Sequence, residues 1–472
     1  MNKIKFFIYC FLFFVITINS LFSQTNQNII TVTGNELIGR VENGESVREV
    51  IGNVVMTQGN VVITCDRAIQ YLAQNSARLI GNVVAKQDTL TLYTDEGFYY
   101  GNEKRAFSDR KIKLDDKKVI LTAQVGEYFF DDDLADFKIN VKLYDTATTL
   151  TSNRLLYYRN ENKAIATSNV KIKNSENEIY SDSLIHLRDK KISYAFKNVA
   201  IRNYENNVQI FGEHLEDYQE RKYTLIDVNP MLMQIDSTIN TVQDSITGET
   251  KNNISIDTLI MKSNMMESYR DSSERYFAYD SVEIVRGEFS SRNDFSQYLK
   301  NSETIITYKV NDEAPKPILW YENTQLSGDS IFIYLKDNVV NKVFVNRNAL
   351  IVSYNDSFPN RYDQIYGDSL IMYFEDGDLN KAEIYGNVLS IYYLYEDNEP
   401  NGLIKSSSVN AIIIFEEKKI NEVKLYGEPK SEYHPEKLIL ERPRDYFLPK
   451  FIYYDNKPNK DILLTKIKKF LK

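Results

Sequence analysis

The feature that most constrains this chain is a strict internal repeat. The pairs Asn53-Val54, Asn82-Val83, Lys111-Ile112, Asn140-Val141, Asn169-Val170 and Asn198-Val199 follow one another at a constant step of 29 in the numbering. Other columns keep the same step. Asp66, Asp95, Gln124, Asn153 and Asp182 follow the first five anchors at a fixed offset, each after a small residue: Cys65, Thr94, Ala123, Ser152 or Ser181. Tyr71, Tyr100, Phe129, Tyr158 and Leu187 follow at a second fixed offset. Three columns in one period describe a unit that buries its apolar face only by stacking on its neighbours.

The contents of the period are β-structure. Ala77, Leu79, Gly81, Val83 and Ala85 alternate with Arg78, Ile80, Asn82, Val84 and Lys86, and residues 164–173 alternate in the same way. Such a pattern builds strands with one packed face and one wet face, with Asn82 facing out. The small-then-polar pairs Thr94-Asp95 and Ser181-Asp182 read as corners, their acids serving local backbone rather than catalysis. Links such as Asn160-Glu161-Asn162-Lys163 read as tight turns.

Later repeats are looser. Ser327-Gly328-Asp329-Ser330 and Tyr366-Gly367-Asp368-Ser369 repeat the corner at a longer step, from Gly328 to Gly367. A stretch rich in Ser, Thr, Asn and Asp at residues 236–257 breaks the spacing and reads as a polar insertion, a long hairpin or a linker. The predicted organisation is a repeat region over residues 24–235, that insertion, further repeats over 258–455 and a basic amphipathic tail over 456–472. Roughly a dozen stacked units at ~4.8 Å per rung predict an elongated all-β body on the order of 55–60 Å long. Small residues (Gly52, Gly81, Ala106, Ala166, Ala195) lie at one part of the interior, and bulky Tyr and Phe at the other. That contrast favours an open, wedge-shaped section over a uniformly filled tube.

Composition excludes several function classes. A formal net charge of -9 provides no basic field for nucleic acid, and 3 His with 2 Cys leave little for a zinc or thiol site. His186, His214 and His434 are far apart in sequence, and no nucleophile or phosphate-loop motif is present, so neither a cofactor nor an enzymatic activity is expected. Lys3 and Lys5 precede an apolar run from Phe6 to Ile18, and Ser23 is a suitable cleavage position. Residues 1–23 therefore read as a signal peptide for export, the alternative being a retained N-terminal anchor. After cleavage only Cys65 remains, so no intramolecular disulfide holds the mature chain.

The runs Gly52-Asn53-Val54-Val55-Met56, Gly81-Asn82-Val83-Val84 and Gly386-Asn387-Val388, with corners such as Thr91-Leu92-Tyr93-Thr94-Asp95, resemble the G-N-V unit of the OstA/LptA-like lipopolysaccharide-transport family. The likeness covers nearly all of the mature chain and is strongest over residues 47–200. Residues 384–455 resemble the end of the long forms found in Bacteroidetes-like bacteria. The resemblance implies an open, twisted β-jellyroll (a β-taco) whose greasy interior holds lipid A acyl chains in the periplasm, outer-membrane association being a further option. It also implies partners: lipopolysaccharide, transport components of the inner and outer membranes, and edge-to-edge contact with another copy. The chain departs from the small soluble form in its length and in the insertion near residue 240.

Each methylene exposed to water costs ~0.8 kcal/mol, so a continuous apolar groove removes most of the penalty of carrying a multi-chain lipid. The column Val54, Val83, Ile112, Val141, Val170 and Val199 is the expected lining, the alternative being that these residues fill a closed core. Competing readings are a β-solenoid scaffold or adhesin with a filled core and, more weakly, a transmembrane barrel. Against the barrel, outward positions include Lys138, Lys142, Lys171 and Lys173. The tail, with Leu463, Leu464, Ile467 and Phe470 at helical spacing among lysines, reads as a cap on a sheet end or as a contact to anionic lipid.

Overall fold

A strand such as Ser76–Gln87 is not straight. Gly81 and Asn82 both take left-handed backbone, φ +77° and +47°, although the ladder continues on either side. Ile80 pairs with Glu96 and Val83 with Thr94, so the register shifts between them and leaves extra residues on one strand. This is a β-bulge, and it bends the strand. Bulged pairs recur at Gly52-Asn53, Ile139-Asn140, Ser168-Asn169, Lys197-Asn198, Arg347-Asn348 and Gly386-Asn387. The anchor asparagines of the repeat are thus the residues that turn each corner, a conformation Gly and Asn accept most cheaply. Ile139, β-branched at φ +66°, holds it under strain.

Side chains lock the corners together. Asn82 Nδ2 donates to Asp66 Oδ2 at 2.9 Å, Asn198 to Asp182 at 2.9 Å, Asn348 to Asp329 at 3.0 Å and Asn387 to Asp368 at 2.8 Å. A Cβ on Gly81 would collide with the Asp66 carboxylate, which explains the glycine. The small residue before each acid has its own task. Thr94, Ser152 and Ser181 donate their hydroxyls to the carbonyl two residues ahead at 2.9–3.0 Å, and Cys65 Sγ does the same at 3.2 Å. The acids of the repeat serve the turn.

The computed structural model describes residues 29–470 apart from 205–206, 244–249, 338, 356, 359, 376, 398 and 417–418. The signal-peptide expectation for residues 1–23 lies outside the described residues. So do the last two residues of the tail and the tip and side chains of the 236–257 insertion. The described residues form 32 strands, with antiparallel pairing throughout the described ladders. The fold is all-β, and among the described residues no helix is long and apolar enough to cross a membrane. Two compact units part at Val170 and Lys171.

In the first unit each bent strand contributes one arm to each of two facing walls. One wall holds residues 54–58, 61–65, 83–87 and 90–94; the other holds 45–51, 67–71, 76–80 and 96–100. Val54, Ile63, Val83 and Leu92 from the first wall pack toward Ala68, Ala77 and Leu79 of the second, all buried. Large residues against small ones fill the space between the walls.

The second unit keeps the bent-strand plan with longer rungs. The strands Met231–Gln243 and Thr250–Lys262 pair from Met231–Lys262 to Gln243–Thr250, so the insertion forms the arms of a long hairpin. The C-terminal segment runs back over the outer face of this unit. Ile439, Tyr446 and Leu448 pack on Ile391, Tyr393 and Leu403. Gln364, fully buried, accepts from Leu448 N at 2.8 Å and donates to Tyr446 O at 3.0 Å. Gln325, equally buried, does the same for Tyr454 N and Ile452 O at 2.8 and 2.9 Å. The helix Lys460–Ile467 then seats Leu463 and Ile467 among Phe211, Met231, Met233, Ile260 and Val285. The amphipathic tail lies on a sheet face of its own unit.

Candidate functional site: the space between the walls

All six residues of the expected lining are buried. Val54, Val83, Ile112, Val141 and Val170 in the first unit, and Val199 in the second, are 0–4 % exposed. Val83 and Ile112 also border a concavity of about 590 Å³ beside the corners, shared with Tyr93, Lys113 and Asp95. Inside the first unit the column faces a closed interior, and the closure has a specific cause.

The free ends of the two walls are fastened to each other. Tyr99 Oη donates to Gln58 Oε1 at 2.6 Å, and Gln58 Nε2 donates to Gly101 O at 2.9 Å. One rung on, Gln87 Nε2 donates to Phe130 O at 3.3 Å. One further rung on, Tyr157 Oη donates to Asp116 Oδ2 at 2.9 Å. Gln58, Gln87 and Asp116 keep the step of the anchors, as do Tyr99, Tyr128 and Tyr157. Burial raises the Tyr99 and Tyr128 hydroxyls well above the usual phenol range, so they stay protonated donors. Asp116 is buried and fully engaged, accepting also from Lys118 N and Val119 N at 2.9 and 2.8 Å. Sequence reasoning misses these clasps, because its aromatic column runs through Tyr100 and Tyr158 and not their inward neighbours Tyr99 and Tyr157. The shared step is the signal that finds them.

The second unit opens where the spacing breaks. Two concavities, of about 450 and 370 Å³, lie between its walls. Their apolar wall carries Ile201, Val208, Ile210, Leu232, Leu259 and Met261; Ile305 and Tyr276 face them. The rim is charged but paired: Arg270 Nη2 meets Asp217 Oδ1 at 2.7 Å, Thr224 donates to the same oxygen at 2.7 Å, and Lys300 meets Glu274 at 2.8 Å. Farther along, an aromatic contact among Phe289, Tyr321 and Phe374 closes the walls again, with ring centroids 4.7–5.6 Å apart. Ile201, Val208 and Ile210 keep the step of the repeat, following Ile172, Ile179 and Ser181, whereas Leu232, Leu259, Met261 and Ile305 stand in none of its columns, so periodicity alone could not nominate those four.

No group of three or more His, Cys, Asp or Glu is placed to hold a metal ion among the described residues. Cys65 is buried, and its thiol is pushed up to about 11 by that burial, which keeps it unreactive. The arrangement offers apolar volume with a polar rim rather than reactive groups.

No curated protein sequence matches the chain. Residues 26–182 match the family model of OstA-like proteins, a span that contains the clasped rungs and five of the six anchor pairs. That segment, with its bent antiparallel rungs and corner asparagines, is similar to OstA-like proteins.

Proposed function

We propose that this protein is a periplasmic lipopolysaccharide-binding transport or bridge protein that shelters acyl chains between its two walls. OstA-like proteins are a transport and binding family rather than a catalytic one. The observation that carries the reading is the pair of lateral openings in the second unit, floored by Ile201, Val208, Leu232, Leu259 and Met261. Apolar surface of that kind, presented between walls and not on a convex face, recovers ~25 cal/mol per Å² when an acyl chain covers it. At the rim Arg270 pairs with Asp217 and Lys300 with Glu274, so capture rests on the chains and not on those charges. The anchors Val54 to Val170 form the interior of the first unit, which lipid enters as its clasps release. Exposed edges, including the strand Glu36–Glu42, all of whose residues are exposed, supply pairing sites for membrane-anchored components or another copy.

The clasps favour a second reading, a scaffold with a filled core, because the first unit has its column sealed. The test separates the two. Photo-crosslinking residues are placed at Leu232 and Met261 in the mouth, at Val141 and Val170 in the sealed column, and at outward Lys142. Labelling with lipopolysaccharide at Leu232, Met261 and the column, with Lys142 silent, is the expected result. Labelling nowhere, with no lipid co-purifying by mass spectrometry, leaves the scaffold reading.

A further inference from the structure

The first unit carries a second feature, on the outside of its walls. Across four strands the register aligns Val84 with Tyr93, Tyr93 with Lys113 and Lys113 with Thr122. Their chain neighbours Val83, Leu92, Ile112 and Leu121 are buried, so this row faces outward. Beside it stand the corner residues Asp95, Lys111, Gln124 and Asn140, and row and corners together line the concavity of about 590 Å³. Three strand spacings make the row roughly 14 Å long, room for a short chain of rings.

These corners are unlike the locked ones. Asp66, Asp182, Asp329 and Asp368 each receive the amide of a corner asparagine. Opposite Asp95 the column supplies Lys111 instead, and neither side chain has a hydrogen bond or ion pair among the described residues. The side chains of Gln124 and Asn140 are free in the same sense, and all four residues are exposed. Lys111 holds left-handed backbone, φ +54°, which asparagine accepts more readily, and its side chain gains no bond there. Four polar groups thus border one concavity without locking a corner.

Their mixture narrows the ligand. Lys111 and Lys113 oppose a cation, and Asp95 opposes a bare anion. An apolar ligand would strip water from four unpaired polar groups. Gln124 and Asn140 each present a donor and an acceptor, which suits hydroxyl groups, since each of those is also both. Tyr93, 38 % exposed, and Val84 offer apolar contact to the C–H face of a sugar ring, with Lys113 Nζ a further donor 5.2 Å from the Tyr93 ring centroid.

We propose that this concavity binds a neutral oligosaccharide, with Asp95 accepting from its hydroxyls and Gln124 and Asn140 exchanging hydrogen bonds with them. The site lies outside the walls and does not depend on the acyl-carrier reading.

The full mature chain is titrated by calorimetry with three lipid-free probes. Two are neutral: the oligosaccharide released from lipopolysaccharide by mild acid and then dephosphorylated, and a tetramer of N-acetylglucosamine as a cell-wall type of glycan. The third is the phosphorylated form of the first. Wild type is expected to bind a neutral probe, and which of the two it prefers names the source. Asp95→Ala should weaken that binding about tenfold and Gln124→Ala about threefold, as hydrogen bonds to a charged and a neutral group imply. Both variants should keep the wild-type melting midpoint, since neither side chain holds a bond in the fold. Asn169→Gly, at a corner outside the concavity, and Leu232→Asp, in the mouth of the second unit, should bind sugar as wild type does. No binding of either neutral probe at millimolar concentration overturns the proposal, as does binding undiminished in both Asp95→Ala and Gln124→Ala. Binding of the phosphorylated probe alone, lost at high salt, overturns it in favour of an anion patch at the lysines. Sugar binding lost in Leu232→Asp overturns the placement on the first unit, whereas acyl binding lost there with sugar binding intact leaves this site standing apart from the acyl-carrier reading.

Discussion

The two units build bent antiparallel rungs from the same corner chemistry, yet the first has its wall ends clasped, with a concavity beside its corners, and the second opens between its walls. In the first, a polar clasp at each of three successive rungs ties the wall ends together, and the interior is filled by Val, Ile and Leu against Ala. In the second, the wall around Leu232 and Leu259 extends into a long hairpin, and concavities open between the walls. The difference teaches that the corner determines the bend, while the residues at the wall ends determine whether the bend makes a tube or a trough. A strict period gives closure, and its interruption gives access.

The largest expected effect belongs to the sealed interior. Val83→Asp places a carboxylate among buried aliphatic side chains and should cost about 3–5 kcal/mol in urea unfolding of the first unit. Leu232→Asp at the open mouth should cost about 1–2 kcal/mol, since water reaches it, but should weaken acyl binding. Equal destabilisation at the two positions breaks the distinction between tube and trough.

Buried acids sharpen the same contrast. Desolvation raises the Asp363 carboxyl in the second unit from its ordinary 3.8 to about 6, so it holds its proton better folded than unfolded. Its contribution to stability is therefore full below about pH 4 and lost as pH rises to about 6, a loss of about 3 kcal/mol above that range. Asp363→Asn should gain up to that amount at pH 8 and almost nothing at pH 4. Denaturation midpoints at the two pH values check the sign.

Smaller effects test the clasps and corners. Tyr157→Phe leaves buried Asp116 short of a donor and should cost about 1–2 kcal/mol, and it should also speed labelling at Val141 if clasps gate the interior. Asn82→Asp sets a carboxylate against Asp66 at an exposed corner and should cost about 1 kcal/mol, relieved by salt. Exposure alone suggests a neutral substitution there; the hydrogen bond to Asp66 is what changes that expectation. Thermal or urea midpoints at low and high salt measure the difference.

How much of this could be read from the chain follows from what each contact depends on. Strand alternation, corners and the burial of Val54 through Val199 are local or nearest-neighbour facts, repeated until they stand out of the sequence. The clasps join residues 41–43 apart, Gln58 with Tyr99 and Gln87 with Phe130, and become visible only when two columns are compared at an offset. Leu232, Leu259 and Met261 of the mouth lie where the repeat fails, so that part of the lining had no column to announce it. The tail is recognisable as an amphipathic helix, but its partners Met231, Met233 and Ile260 occupy strand positions that the pattern would assign to solvent.

The returning C-terminal segment also sets an order of events in time. Gln364 and Gln325 meet backbone groups 82–129 residues later in the chain, and the helix Lys460–Ile467 covers apolar residues that emerge far earlier. A chain made from its N-terminus can close the first unit rung by rung, because each clasp waits only a few tens of residues. The second unit has to wait for its last residues before Phe211, Met231 and Ile260 are hidden. Until then its outer face is a greasy surface in need of a chaperone, and any stop codon before Leu463 would leave it so.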